Sequence, residues 1–417
     1  MSAEPTPVSF LRRRSVLWPA FLLVHGGILA VLAPMMLSGD VLSDVRFYRE
    51  WAFDALQGEP RGIVSDWVYP IGALVPMLLA ALGGWGGYMF AWFLLFAGLN
   101  AAAFALLTAR QTPRRTAAAY WWLAATALLG PVAVGRIDGL TVPLVIIALL
   151  LLERRPVAAS ALLAAATWIK VWPAAVILAL LVAWRRRLTL LATGAAVSAL
   201  IAAAVTAAGG LRHLLSFIGA QGDRGMQLEA PFTTPGLWQA ILGRSDAHIF
   251  EDVVINTREV RGALGEPVAA LMSPLLAAAA VAVALLLIWA LRRGVPEREL
   301  IAAGALALVS AFIVFNKVGS PQFMLWLVAV TAVGLAWEGR TWRFPAWLML
   351  GVAALTTLVY PLFYQALYED LNTAVAAALT VRNAALLVLF GWALARIVSL
   401  ARQARVSGPA ALPARDR

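Results

Sequence analysis

The chain contains no cysteine, which excludes a disulfide framework and any thiolate metal site. Histidine is nearly absent: His25, His213 and His248 stand far apart, and no metal-ligand spacing can be assembled from them. Lysine is rarer still, with Lys170 and Lys317 alone. Charged residues of all kinds make up only 13% of the 417 positions, and no polar stretch is long enough for a soluble domain. A glycine-rich phosphate loop is also missing, so nothing in the pattern binds a nucleotide in the usual way.

What remains is apolar. The chain is 62% hydrophobic with a mean hydropathy of +0.82, more apolar surface than a soluble fold of this length can hide. It therefore reads as a polytopic, all-α integral membrane protein. The 17 tryptophans suit two long water–lipid boundaries, where indole rings prefer to sit. The net charge of +11 does not point to nucleic acid, because the arginines lie in short runs between apolar stretches, the pattern of cytoplasmic loops.

About 12 transmembrane helices are expected, over residues 16–38, 86–108, 116–135, 139–152, 157–170, 171–184, 188–207, 267–291, 299–315, 323–339, 345–363 and 375–398. The first is too long for a typical signal-peptide core and is read as retained, with Arg12–Arg14 inside. Residues 70–84 are apolar but short, and a crossing there would turn every later arginine run outward. They are read as an interfacial helix on the outer boundary. Residues 157–184 are bounded by arginines at both ends, so the segment must go out and return. Each arm of about 14 residues reaches about 21 Å, against a hydrocarbon core of about 30 Å. A hairpin whose tip, Ile169–Pro173, stops below the outer surface fits that arithmetic, provided the tip faces protein or a wet cavity.

With that layout both termini are cytoplasmic and residues 1–406 form one membrane domain. Two substantial external loops follow, 39–85 and 208–266, the first with an amphipathic stretch, Val45–Leu56. The Pro- and Ala-rich tail, 407–417, is expected to be disordered.

Polar residues at membrane depth are costly and mark function more often than decoration. Both lysines fall at expected outer span ends, each beside a helix break (Lys170 before Pro173, Lys317 before Pro321). Snorkelling to lipid headgroups is one explanation; cationic donors aimed at an anionic headgroup such as a phosphate are the other. Arg382 with Asn383 lies inside the last span, as an ion-pair partner or a third phosphate contact. Asp44, with Asp40 before it, and Asp66 place carboxylates in the first external loop. Each suits a general base or positioning group as well as a solvated helix cap. Arg136 and Asp138 sit at an outer turn, as a salt bridge or as site residues.

Six ordered pieces then resemble a known family: Asp44 with Tyr48, Trp67–Pro70, Gly135–Asp138, Trp168–Pro173, Arg224–Glu229 and Lys317–Gln322. Together they resemble the GT-C glycosyltransferases, and among them the GT87 polyprenyl-phosphate-mannose-dependent mannosyltransferases of actinobacteria. The resemblance implies a GT-C-like bundle in a bacterial plasma membrane. It implies transfer of a sugar from a polyprenyl phosphate to a hydroxyl of a cell-envelope glycolipid or polysaccharide on the outer face. Mannose is the sugar it favours, with arabinose and glucose open. It assigns the base to Asp44 and the donor phosphate to Lys170, then Lys317; by position alone Asp66 is the rival base and Arg382 a further phosphate contact. Substrate contacts are expected from Tyr48, Tyr69, Arg136, Asp138, Arg224, Gln227, Glu229 and Gln322. Family members often carry Gln-Xaa-Asn where this chain has Arg136–Asp138, a departure at the substrate contacts. No metal or other cofactor is required, since Lys and Arg can meet the phosphate charge. The competing class is a transporter or flippase of lipid-linked sugars, against which stands the lack of an inverted repeat.

Overall fold

The computed structural model describes residues 13–219, 225–244, 246–252, 257–263 and 265–406. In nearly uniformly apolar sequence, periodicity says little, and the helix boundaries come from proline and from charge. The chain opens with α1 (Arg14–Leu37) and α2 (Val45–Leu56). A 3-10 turn at Ile71–Ala73 then leads into α3 (Leu74–Ala81) and α4 (Gly84–Thr108). Pro113, Pro156 and Pro173 occupy the first turns of α5 (Pro113–Val134), α7 (Pro156–Ile169) and α8 (Pro173–Ala183), where a missing N–H costs nothing. Between them lies α6 (Asp138–Leu151), and α9 (Arg187–Ala207) follows.

The segment 208–266, expected to be external, holds α10 (Ser216–Gly219), α11 (Thr234–Ile241) and a two-stranded antiparallel ribbon, β1 (His248–Asp252) with β2 (Thr257–Arg261). The ribbon has no counterpart in the sequence reading. Then come α12 (Gly265–Arg292), α13 (Glu297–Val314), α14 (Met324–Glu338), α15 (Arg343–Thr357), α16 (Tyr364–Tyr368) and α17 (Thr373–Val406).

Among the described residues seven apolar helical stretches are long enough to cross a membrane: Arg14–Leu37, Gly84–Thr108, Pro113–Val134, Arg187–Ala207, Gly265–Arg292, Pro321–Leu362 and Thr373–Ala404. The expectation of about 12 spans reaches further. It needs α6, α7, α8 and α13 as well and divides Pro321–Leu362 into two spans, α14 and α15; α6, α7 and α8, at 14, 14 and 11 residues, reach only about 16–21 Å each. The centre of the molecule is α13 and α14, buried almost all round, while α1, α9 and α12 expose apolar sides. Such exposure suits a lipid solvent. The amphipathic stretch 45–56 is α2, and residues 71–81 form the short helix read as interfacial.

Two ends of the bundle are tied differently. At one end arginines reach across turns: Arg114 donates to the Trp337 carbonyl, Arg185 meets Glu297, and Arg396 meets Glu299. At the other, the segment 208–266 docks on the turn before α14. The Gln227 N–H donates to the Lys317 carbonyl at 2.9 Å, and the Gly319 N–H donates to Gln227 Oε1 at 3.1 Å. Residues 226–228 also bond along β2, with Leu228 N–H on Arg258 O and Val260 N–H on Met226 O. Gly319 permits this docking, because a Cβ there would overlap the backbone of Glu229 and Ala230. Gly319→Ala is therefore expected to free this segment, seen as faster proteolysis within residues 208–266 and a lower thermal midpoint. Gly98→Ala, whose Cβ meets open space, is the control that stays at wild type.

Candidate functional site

The site forms where four helix breaks converge. After α1, Ser43 takes a left-handed conformation (φ +52°), and Asp44 follows as the residue that opens α2. Helix α5 kinks at Gly130–Pro131 and ends at a tight turn carrying Arg136. Gly139 is required there, since a Cβ would strike the Ala133 carbonyl. Arg136 reaches over to Asp44 in a salt bridge, both side chains only partly exposed. Its other terminal nitrogen, Nη2, donates to the Tyr360 hydroxyl at 3.2 Å. Burial weighs against charge on Arg136, but Asp44 together with Tyr360 and Tyr48 more than offsets it, and the guanidinium holds its proton above the ordinary value.

Tyr48 lies one turn into α2 and faces inward, so the i, i+4 pair with Asp44 brings both to the same turn of α5 and α6. The Tyr48 hydroxyl accepts from the Ile137 N–H at 3.3 Å and lies 3.4 Å from the Tyr69 hydroxyl. Burial, then the neighbouring Tyr69 and Asp44, pushes its phenol well above the ordinary value. It is a neutral hydrogen-bonding group.

Lys170 enters from the break between α7 and α8, where its own backbone is extended (φ −151°, ψ 137°). Its Nζ stands 4.3 Å above the Tyr69 ring, a cation–π placement, and 4.0 Å from Asp138 Oδ2. That second distance is too long for a hydrogen bond. Asp138, 1% exposed, begins α6, where the helix dipole favours a carboxylate. Its Oδ1 accepts from Trp326 Nε1 at 2.7 Å, while Oδ2 has no hydrogen-bond partner. Trp326 stacks nearly parallel on Trp172 at 5.9 Å, and Trp172 Nε1 donates to Thr141 at 2.9 Å.

Six expected site residues thus come together: Asp44, Tyr48, Tyr69, Arg136, Asp138 and Lys170. Their charges alternate as two cations and two carboxylates. The pair Asp138–Lys170 is loose, so the ammonium can turn toward another anion without breaking a hydrogen bond to Asp138.

Other candidates sit elsewhere. Asp66 is largely exposed and bonds His213 at 2.5 Å, tying the segment 39–85 to the segment 208–266. Arg382 is buried in α17, where it donates to the Glu229 carbonyl and to Asn383 Oδ1. Glu229 is buried with Oε2 unpartnered; burial pushes its carboxyl up, against a hydrogen bond from Tyr364. Gln227 and Lys317 meet through backbone in the docking already described. Gln322 lies buried in the turn Pro321–Phe323 that leads into α14, its Oε1 without a partner. Arg224 lies outside the described residues. Among the described residues no three histidine, aspartate or glutamate side chains converge.

Two residues of the site escaped the sequence reading, Trp326 and Tyr360. Tyr360 had a signal, because Pro361 breaks an apolar run beside it; Trp326 had none.

No curated protein and no solved structure matches the chain. The model of glycosyltransferase family 87 does, over residues 67–315, more than half of the sequence. The matched stretch contains Tyr69, Arg136, Asp138 and Lys170 of the cluster. The chain belongs to glycosyltransferase family 87 and is a membrane glycosyltransferase of the GT-C superfamily.

Proposed function

We propose that this enzyme moves a sugar, mannose, from a polyprenyl phosphate to a hydroxyl of a cell-envelope glycolipid or polysaccharide on the outer face of a bacterial plasma membrane. The observation that carries the reading is the meeting of Lys170 and Arg136 with Asp44 and Asp138 at breaks between apolar helices. A lipid-linked sugar cannot leave its bilayer, so its site must open at such a boundary.

The chemistry follows from those groups. The acceptor hydroxyl gives its proton to Asp44 and its oxygen bonds to the anomeric carbon. The bond from that carbon to the phosphate oxygen breaks, and the electron pair leaves with the phosphate. Lys170 meets the growing phosphate charge, and Arg136 keeps the Asp44 carboxylate oriented. Asp138 and Tyr69 hold Lys170 from the protein side, and Tyr48 fixes the turn that carries Arg136. Arg382 secures the second external segment through the Glu229 carbonyl. The reading includes about 12 helical passes, with α7 and α8 as a hairpin that brings Lys170 to the donor phosphate.

Transfer of labelled mannose from polyprenyl-phosphate mannose to an added glycan acceptor, by purified protein in liposomes, tests the reading. Movement of the donor between leaflets without transfer would replace it with a flippase. Sidedness is tested separately, since native cysteine is absent. Leu242→Cys is expected to react with an impermeant maleimide in intact cells, and Thr112→Cys only after lysis. The reverse would put the site inside.

A further inference from the structure

Tyr360 touches the Asp44 pair from behind. Helix α15 gives way at Leu358–Leu362, where Tyr360 takes extended backbone angles (φ −134°, ψ 122°) and its side chain leaves the helical path. The hydroxyl accepts from Arg136 Nη2 at 3.2 Å and lies 3.4 Å from Ser43 Oγ. Ser43 is the left-handed residue immediately before Asp44, a conformation a non-glycine residue keeps only when its surroundings hold it. One hydroxyl therefore contacts both the guanidinium that pairs with Asp44 and the residue that aims Asp44. On its far side the Tyr360 ring packs edge-on against Tyr364, with centroids 5.2 Å apart. Tyr364 bonds the Glu229 carboxylate, and the Glu229 carbonyl accepts from Arg382. A continuous chain of contacts runs from Asp44 to the second external segment.

We propose that Tyr360 is a positioning residue of the transferase site, holding Arg136 against Asp44 and, through Tyr364, fixing that pair to the second external segment. The proposal rests on the reading of Asp44 as the reacting carboxylate. A ring that merely filled space would do so equally well without its hydroxyl, which makes Tyr360→Phe the decisive change.

A hydrogen bond to a charged group corresponds to roughly a 10- to 100-fold effect on rate when it acts in the transition state. Tyr360→Phe is expected to lower kcat in that range with the donor KM within about two-fold of wild type. Tyr364→Phe should act in the same direction and less. In an Arg136→Lys background, which keeps the charge but loses the forked geometry, Tyr360→Phe should cost clearly less than it does in wild type, because the two changes share the Arg136 contact and only the Ser43 contact is left to lose.

The second readout needs no turnover. Amide exchange at residues 43–48 and 135–138 should quicken in Tyr360→Phe, and the same change should quicken it less in the Arg136→Lys background. Additive losses in the double variant, or wild-type exchange at both segments in Tyr360→Phe, would overturn the proposal. Failure of wild-type protein to transfer from polyprenyl-phosphate mannose would instead remove the donor reading, and the exchange result would still decide the role of Tyr360.

Discussion

Asp44→Asn is expected to lose about 100- to 10,000-fold in turnover, the range a general base contributes, with donor binding nearly unchanged. The substitution removes basicity while preserving shape. Arg136 keeps Tyr360 as an acceptor, so its guanidinium is not left entirely unpaired, and the fold should survive. The comparison variant is Asp66→Asn. Asp66 bonds His213 on an exposed loop junction and makes no contact with the Asp44 cluster, so its loss should cost less than ten-fold. Rates of both variants in the mannose-transfer assay separate the two carboxylates. An active Asp44→Asn beside a dead Asp66→Asn would move the base to Asp66 and leave the Arg136 pair as scaffolding.

Lys170→Ala carries the next largest effect. A preorganised donor aimed at developing charge is worth about 100- to 1,000-fold in kcat, and the donor KM should rise as well because the phosphate is charged before the reaction begins. Lys170→Arg should recover part of the loss, since charge returns in a different shape. The rival role for Lys170 is counter-ion to the buried Asp138. Asp138→Asn distinguishes them, for it removes that need while leaving the Trp326 contact able to form. If Lys170 serves only Asp138, the double variant Lys170→Ala with Asp138→Asn should regain activity. If Lys170 serves the phosphate, the double variant stays as impaired as Lys170→Ala. Donor KM and kcat for the four proteins decide it.

Much of this site was legible along the chain. Pro173 and the arginines flanking residues 157–184 marked a helix break at Lys170, and the structure has that break between α7 and α8. Asp44 and Tyr48 are four residues apart, so one helical face carries both. Gly135–Asp138 announced a turn, and the turn is there. Grouping was less legible. Charge alone put Arg382 beside Lys170, whereas its guanidinium is spent on the Glu229 carbonyl and Asn383. Lys317 was grouped with Lys170 because each stands beside a helix break, and its backbone carbonyl is the atom that meets Gln227.

By itself the sequence determined that the chain lives in a membrane, where its helices break, and which scarce charges are worth attention. Those properties follow from composition and from local backbone chemistry, the missing N–H of proline and the missing Cβ of glycine, which act over a few residues. Only the tertiary structure decided that Arg136 belongs to Asp44, that Asp138 stands by Lys170 and Trp326, and that Tyr360 closes the group. These pairings join residues from helices far apart in the chain. In a sequence apolar on every face no periodic stripe says which sides meet, so packing against α13 and α14 settles the partners.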